Sequence, residues 1–211
     1  FFKQKTAYEI GTGDWSSDVC SSDLNRVEKK RENIMKLRET NREEFVAHLT
    51  KDKADKFAHT FVAKCDMLKA WDKCIGVWQD DKLAGAIVVT ISKRKPLTAN
   101  LQLLHTFNQF RKKGIASLLC EHGLRYAYEN KAEYFRVSAE LDAVPFYEKF
   151  GFKMVCRQKT AQLAMFRLTS PNIRENDIKI DEYIWKQMNR KGKGGCIECF
   201  VEYKGVDFYS E

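Results

Sequence analysis

No stretch of this chain approaches the roughly 18 consecutive apolar residues that a membrane-spanning helix requires. The opening residues lack the layout of a secretory signal, and no internal repeat or low-complexity segment interrupts the rest. Metal-ligand patterns are just as scarce. Cys196-Ile-Glu-Cys199 has the spacing of half a zinc site, but no second Cys or His pair lies near it, so it reads as two ordinary strand cysteines and no metal is expected. The remaining cysteines are scattered, which fits a reduced protein of the cytoplasm. Basic residues are also ungathered. The net charge is +8, yet Lys and Arg are spread along the chain rather than concentrated in one arm, and this disfavours a nucleic-acid-binding module.

What is present divides into three parts. Residues 1–24 have no apolar period and no capped amphipathic run. Back-translated with one permitted codon each, Lys3 to Ile10 and Gly13 to Leu24 resemble the two constant halves of an indexed sequencing adapter, separated by an interval of index length. This leader is therefore read as non-native, with native sequence expected from about Asn25 or from residues missing upstream. Residues 25–170 carry the strong element pattern, and 171–211 form a C-terminal extension of unassigned role. An apolar content of 44% with 12% aromatics suits one globular domain with a real core.

Within that domain the patterns succeed one another clearly. The run ending at Glu39 reads as a strand, and Thr40 followed by Glu43 reads as a capping-box start for a helix carrying Phe45, Val46 and Leu49. Ala54 to Leu68 is a second helix. Cys74–Trp78 and Leu83–Ile91 form a hairpin about Gln79–Lys82, followed by a strand over Asn100–Phe107. Ala116–Asn130 is a helix with Leu118, Leu119, Leu124 and Tyr128 facing the core. Tyr134–Ala139 is a strand, Ala143–Phe150 a short helix, and Phe152–Arg157 and Gln162–Leu168 are strands. The helix between Phe107 and Tyr134 is a crossover, so the strands flanking it are parallel while the others run antiparallel. The fold class is α+β: a mixed, mostly antiparallel sheet with a parallel central pair and flanking helices. In the extension, Ile178–Met188 is helix-like and Cys196–Tyr203 strand-like.

One segment carries chemistry. The strand ending His105-Thr106-Phe107 runs into Arg111-Lys112-Lys113-Gly114-Ile115-Ala116, a basic turn that opens a helix. Helix-start N–H groups, the positive end of the helix dipole and three cations make an anion site. Gly114 lets an anion approach the backbone without a Cβ in the way. The next strand leads into Ala143-Val144-Pro145-Phe146-Tyr147-Glu148-Lys149-Phe150-Gly151-Phe152.

With both segments in this order, residues 33 to 168 resemble the GNAT acyltransferase superfamily. Arg111-x-x-Gly114-x-Ala116 is similar to its R/Q-x-x-G-x-G/A pyrophosphate loop. The second segment is similar to its A-x-x-F-Y-x-x-x-G-F helix and strand. The resemblance implies acetyl-CoA as co-substrate, its arm held by backbone amides near Thr106 and Phe107 and its pyrophosphate on Arg111 to Ala116, with Phe146 beside it. It implies direct transfer to an amine on a small molecule or peptide, with Tyr147 as general acid and His105 as a candidate base beside a water relay. Glu140 departs from the family, which often has Asn there, and this puts one cofactor contact in question. A non-catalytic acetyl-CoA-binding regulator is the alternative. The resemblance places the acceptor between about Asn41–Trp71 and Arg157–Ala161. These stretches are rich in Lys and Arg, which disfavours polycationic amines; the sequence leaves an oligomer open.

Overall fold

The computed structural model describes residues 35–52, 58–169, 184 and 195–200. The leader 1–24 and most of the helix-like run Ile178–Met188 lie outside the described residues; of that run, Ile184 is helical and fully buried. Eight strands form one sheet in the order β1-β2-β3-β4-β5-β7-β6-β8. They are β1 (Lys36–Glu39), β2 (Cys74–Gln79), β3 (Lys82–Ile91), β4 (Thr98–Thr106), β5 (Tyr134–Ala139), β6 (Lys153–Gln158), β7 (Leu163–Leu168) and β8 (Cys196–Cys199). The α-helices whose bounds lie among the described residues are α1 (Arg42–Lys51), α2 (Ala58–Leu68), α3 (Ile115–Glu129) and α4 (Val144–Glu148). Among the described residues only β4 and β5 pair in parallel, with α3 as their crossover, and the remaining ladders are antiparallel. The expected α+β fold is therefore the observed one. No helix among the described residues is long and apolar enough to cross a membrane.

Local chemistry explains the boundaries. The capping box starts one residue later than the sequence suggests. Asn41 accepts from the Glu44 N–H at 2.8 Å, and the Glu44 carboxylate accepts from the Asn41 N–H at 3.3 Å. Thr40 instead turns inward, where its buried hydroxyl accepts from the Trp78 indole at 3.0 Å. The β2–β3 hairpin turns through Asp80 and Asp81, both at positive φ, as a two-residue hairpin requires.

The helices divide between the two faces of the sheet. Phe45 of α1 meets His105 of β4 edge-on at 5.7 Å, so α1 covers the face to which His105 points. On the other face α3 rides close to β3. A Cβ built on Gly123 would lie 2.7 Å from Ile87, and one on Gly85 would lie 2.8 Å from Ile115. Two missing side chains thus let α3 settle with its first turn beside the end of β4. Its buried stripe is Ile115, Leu119, Gly123 and Ala127, with Leu118 and Leu124 flanking. Tyr128, expected in the core, is 53% exposed because it lies one position around the helix from that stripe.

The cysteines also depart from expectation. Cys156 of β6 and Cys196 of β8 form a disulfide, whereas the sequence reads as fully reduced. Cys199 is free, so the C-x-x-C is indeed two strand positions, one of them bridged. Through β8 the C-terminal extension adds a strand to the sheet beyond β6.

Candidate active site

The sheet opens at its parallel pair. β4 stays registered with β3 as far as Thr106, and β5 stays registered with β7 as far as Ala139. Against each other, however, they pair only from Thr98–Tyr134 to Asn100–Arg136. Beyond that rung they part into a splay. A bulge accompanies the parting: Val88 faces Leu103 and Val89 faces Leu101, which leaves Gln102 as the extra residue. Bulges bend and twist the strand that carries them.

The splayed edge of β4 exposes backbone donors, though not both expected ones. The Phe107 N–H is committed to the Ala84 carbonyl at 3.0 Å, so it is not available to hold a cofactor arm. Backbone groups alternate between the two edges of a strand, so Thr106 and Leu104 turn their amides toward the splay. Of the two amides expected to hold a cofactor arm, that of Phe107 is therefore taken up by β3, while those of Thr106 and, unforeseen in the sequence, Leu104 face away from β3. The Thr106 hydroxyl is buried with no hydrogen-bond partner among the described residues, a polar atom left for a ligand.

The anion loop stands at the mouth of this splay. Asp52 fixes its start by accepting from the Asn108 backbone N–H at 2.7 Å and from the Asn108 side chain. Phe110 is buried, and Lys113 lies with its ammonium 5.2 Å from the Phe110 ring centre. Arg111 leans back and donates from Nε to the Thr106 carbonyl at 3.4 Å, while Lys112 turns the chain at φ 62°. Gly114, at φ 79°, precedes α3 with no side chain capping the helix, and a Cβ there would meet nothing within 4 Å. The N–H groups of Ile115, Ala116 and Ser117 thus start a helix without an internal partner. Uncapped donors, open space at Gly114 and the orphaned Thr106 hydroxyl fit a pyrophosphate-bearing cofactor.

The two catalytic candidates lie on opposite faces. Tyr147 of α4 is buried on the α3 side, its ring 5.1 Å from Phe146 and 5.7 Å from Phe152, within electrostatic reach of Cys120. Burial pushes its phenol well above the ordinary range, so it holds its proton throughout the working pH range. Phe146 is half-buried and stacks between Tyr147 and Phe150. His105 points to the other face, packed edge-on against Phe107 at 4.8 Å as well as Phe45. The sheet separates Tyr147 from His105 except where β4 and β5 part. Glu140, just after β5, accepts from the Gln162 side chain at 2.8 Å.

A cavity of about 580 Å³ lies on the α1–α2 face at the base of the splay. Phe61 and Lys64 of α2 form one wall, and Gln102, Arg136 and Ser138 of β4 and β5 form the other. Neither Tyr147 nor His105 lines it. The sequence reading passed over Lys64 and Arg136. Each carried a signal: a lysine beside the apolar stripe of α2, and an arginine inside the otherwise apolar run Tyr134-Phe135-Arg136-Val137. The general basic rim is less basic than composition suggests. Arg42 donates to both oxygens of Asp66 at 2.6 and 2.9 Å, and Arg157 pairs with Glu198 at 2.6 Å.

Comparisons with known proteins agree with this architecture. The family described as "Acetyltransferase (GNAT) domain" matches residues 45–166. Ard1 from Thermoplasma volcanium is similar in structure at 18% identity, covering 64% of this chain and 97% of its own, with a TM-score of 0.51. A probable acetyltransferase from Staphylococcus epidermidis is similar at 14% identity, covering 65% and 100%, with a TM-score of 0.55. A GNAT-family acetyltransferase from Streptococcus pneumoniae is similar at 17% identity, covering 64% and 99%, with a TM-score of 0.50. No curated protein sequence matches the chain. The family match spans more than half of the residues, from α1 to β7: the chain belongs to the GNAT acetyltransferases and is an N-acetyltransferase.

Proposed function

We propose that this protein moves an acetyl group from acetyl-CoA to a primary amine by direct attack in a ternary complex. One observation carries the reading. The β4–β5 ladder ends at Asn100–Arg136, with the uncapped start of α3 following β4 and the cavity under α2 lined by residues of both parted strands. Acetyl-CoA supplies the activated acyl group when bound. The N–H groups from Ile115 to Ser117, with Arg111, Lys112 and Lys113, hold its phosphates, and Thr106 and Leu104 present amides to its arm.

Transfer leaves a thiolate that needs a proton and an amine that must lose one. Tyr147 carries the first proton at its hydroxyl oxygen, secured there by burial. Burial makes that phenol a weaker acid than a thiol, so its proton passes to the departing sulfur only in concert with the amine's released proton, which ordered water returns to the Tyr147 oxygen. Because His105 is packed among Phe45 and Phe107 and does not line the cavity, ordered water is the better carrier for the amine's proton.

Calorimetric titration with acetyl-CoA, followed by thiol release across an amine panel, tests this directly. Binding with amine-dependent release is expected. Binding without release for any amine would leave a non-catalytic regulator, and salt-sensitive polynucleotide binding without acetyl-CoA affinity would leave a basic binding module.

A further inference from the structure

Resting on that reading, the acceptor cavity also indicates what kind of amine enters. We propose that the acceptor carries an anionic group, a carboxylate or a phosphate, which Lys64 and Arg136 hold from opposite walls of the cavity at the base of the splay.

The charges facing this space are of one sign. Among its described lining residues the ionisable side chains are Lys64 and Arg136, and the rest are neutral, including Asn100, Gln102 and Gln158. Lys64 forms no ion pair among the described residues, although neighbouring cations such as Arg42 and Arg157 do. Burial lowers the affinity of the Lys64 ammonium for its proton, and the charge of Arg136 lowers it further. A half-buried ammonium without an ion pair among the described residues, with a guanidinium near enough to act on it, forms a site whose energy falls when an anion enters. Arg136 is also held in place: its guanidinium lies 5.6 Å from the Phe166 ring centre, and its backbone forms the last rung between β4 and β5. A planar fork so fixed suits carboxylate or phosphate oxygens.

Position adds the second half of the argument. Arg136 marks the closed end of the splay, whereas Gln102 and Ser138 lie just beyond it, where the strands have parted. An anion seated at Lys64 and Arg136 therefore leaves the remainder of its molecule directed along the cavity toward the opening. Phe61 and Met67 offer apolar surface on the way. The volume falls in the usual range for small-molecule sites, enough for an amino-acid or dipeptide-sized acceptor. A polyamine would bring only charge of the wrong sign.

Matched pairs of probes test this by calorimetry in the presence of CoA: glycylglycine against its amide, and phosphoethanolamine against ethanolamine, with spermidine as a polycation. In at least one pair the anionic member should bind about 10-fold or more tightly, the scale of a charge-assisted hydrogen bond. The preferred pair identifies the group as carboxylate or phosphate. Lys64→Gln and Arg136→Gln should each bring that preference toward one while acetyl-CoA affinity holds, and Lys64→Arg should retain it. Equal affinities within both pairs, no binding by any probe, or tightest binding by spermidine would overturn the inference whatever thiol release shows. A preference undiminished in two folded Gln variants would equally overturn it. Amine-independent failure of thiol release, by contrast, would count against acetyl transfer alone.

Discussion

Gly114→Glu tests whether the turn before α3 receives phosphate, and its effect can be worked out in two parts. The first is the cost to the fold. Gly114 sits at φ 79°, where an L-residue pays about 1–2 kcal/mol. The Cβ itself meets nothing within 4 Å, so no packing term is added. A domain of ordinary stability, roughly 5–15 kcal/mol, survives that loss. The second part is electrostatic. The new carboxylate stands among N–H groups that no side chain caps, and it both competes for them and repels a phosphate. Two unit charges about 4 Å apart repel by about 1 kcal/mol in water and about 4 kcal/mol at a protein surface. A middle value of about 3 kcal/mol corresponds to roughly 10²-fold weaker acetyl-CoA binding. Gly114→Ala separates the parts, since it shares the strain without the charge. Both variants should melt at similar temperatures by circular dichroism. Calorimetry should show the larger affinity loss for Glu, and 0.5 M salt should narrow the gap by screening. A folded Gly114→Glu protein that binds acetyl-CoA within about threefold of the parent would place the phosphates elsewhere.

Tyr147→Phe keeps the ring that packs on Phe146 and Phe152 and removes only the proton donor. Turnover should fall by about 10²-fold, the scale of a lost general acid, with acetyl-CoA affinity unchanged; full turnover would remove Tyr147 from the reaction. The buried thiols make stability fall with alkaline pH. Burial raises Cys74 and Cys120 to about 12 and Cys65 to about 11, above the ordinary 9.0 of an exposed thiol. A folded pKa raised in this way contributes stability that is fully present below about pH 9 and is lost as pH rises from there toward 11 and 12. Urea midpoints should therefore decline between pH 9 and 11, and less steeply after Cys74→Ala and Cys120→Ala are introduced together. A decline of the same slope in that variant would exclude the thiols as its source.

The sequence showed the fold well where a pattern had one physical meaning. The hairpin about Asp80 and Asp81, the crossover helix and the strand Tyr134–Ala139 each combined periodicity with an unambiguous turn or length. Boundaries slipped where two residues could serve one role, as when Asn41 took the cap that Thr40 also offered. The turn before α3 was legible because glycine and basic residues at a strand–helix junction are a local signal. The splay was not, since the end of the β4–β5 ladder at Asn100 and Arg136 depends on how distant strands diverge. For the same reason strand alternation, invisible until the register is known, turns the Phe107 amide to β3 and the Thr106 amide away from it. Lys64 and Arg136 are remote in sequence, and they share a cavity because α2 packs on β4 and the crossover sets β5 beside β4. The Cys156–Cys196 bridge likewise depends on β8 finding β6.

The rung between Asn100 and Arg136 belongs to two sites at once. It is the joint from which β4 and β5 diverge, and it is part of the wall of the cavity under α2. A molecule drawing on the Arg136 side chain therefore sits beside the point where the two strands part. Where one ligand shifts the affinity for another, the linkage is reciprocal. Whatever factor an acceptor applies to the affinity for acetyl-CoA, acetyl-CoA returns to the acceptor in full, so an amine measured against the empty protein reports only one corner of a square.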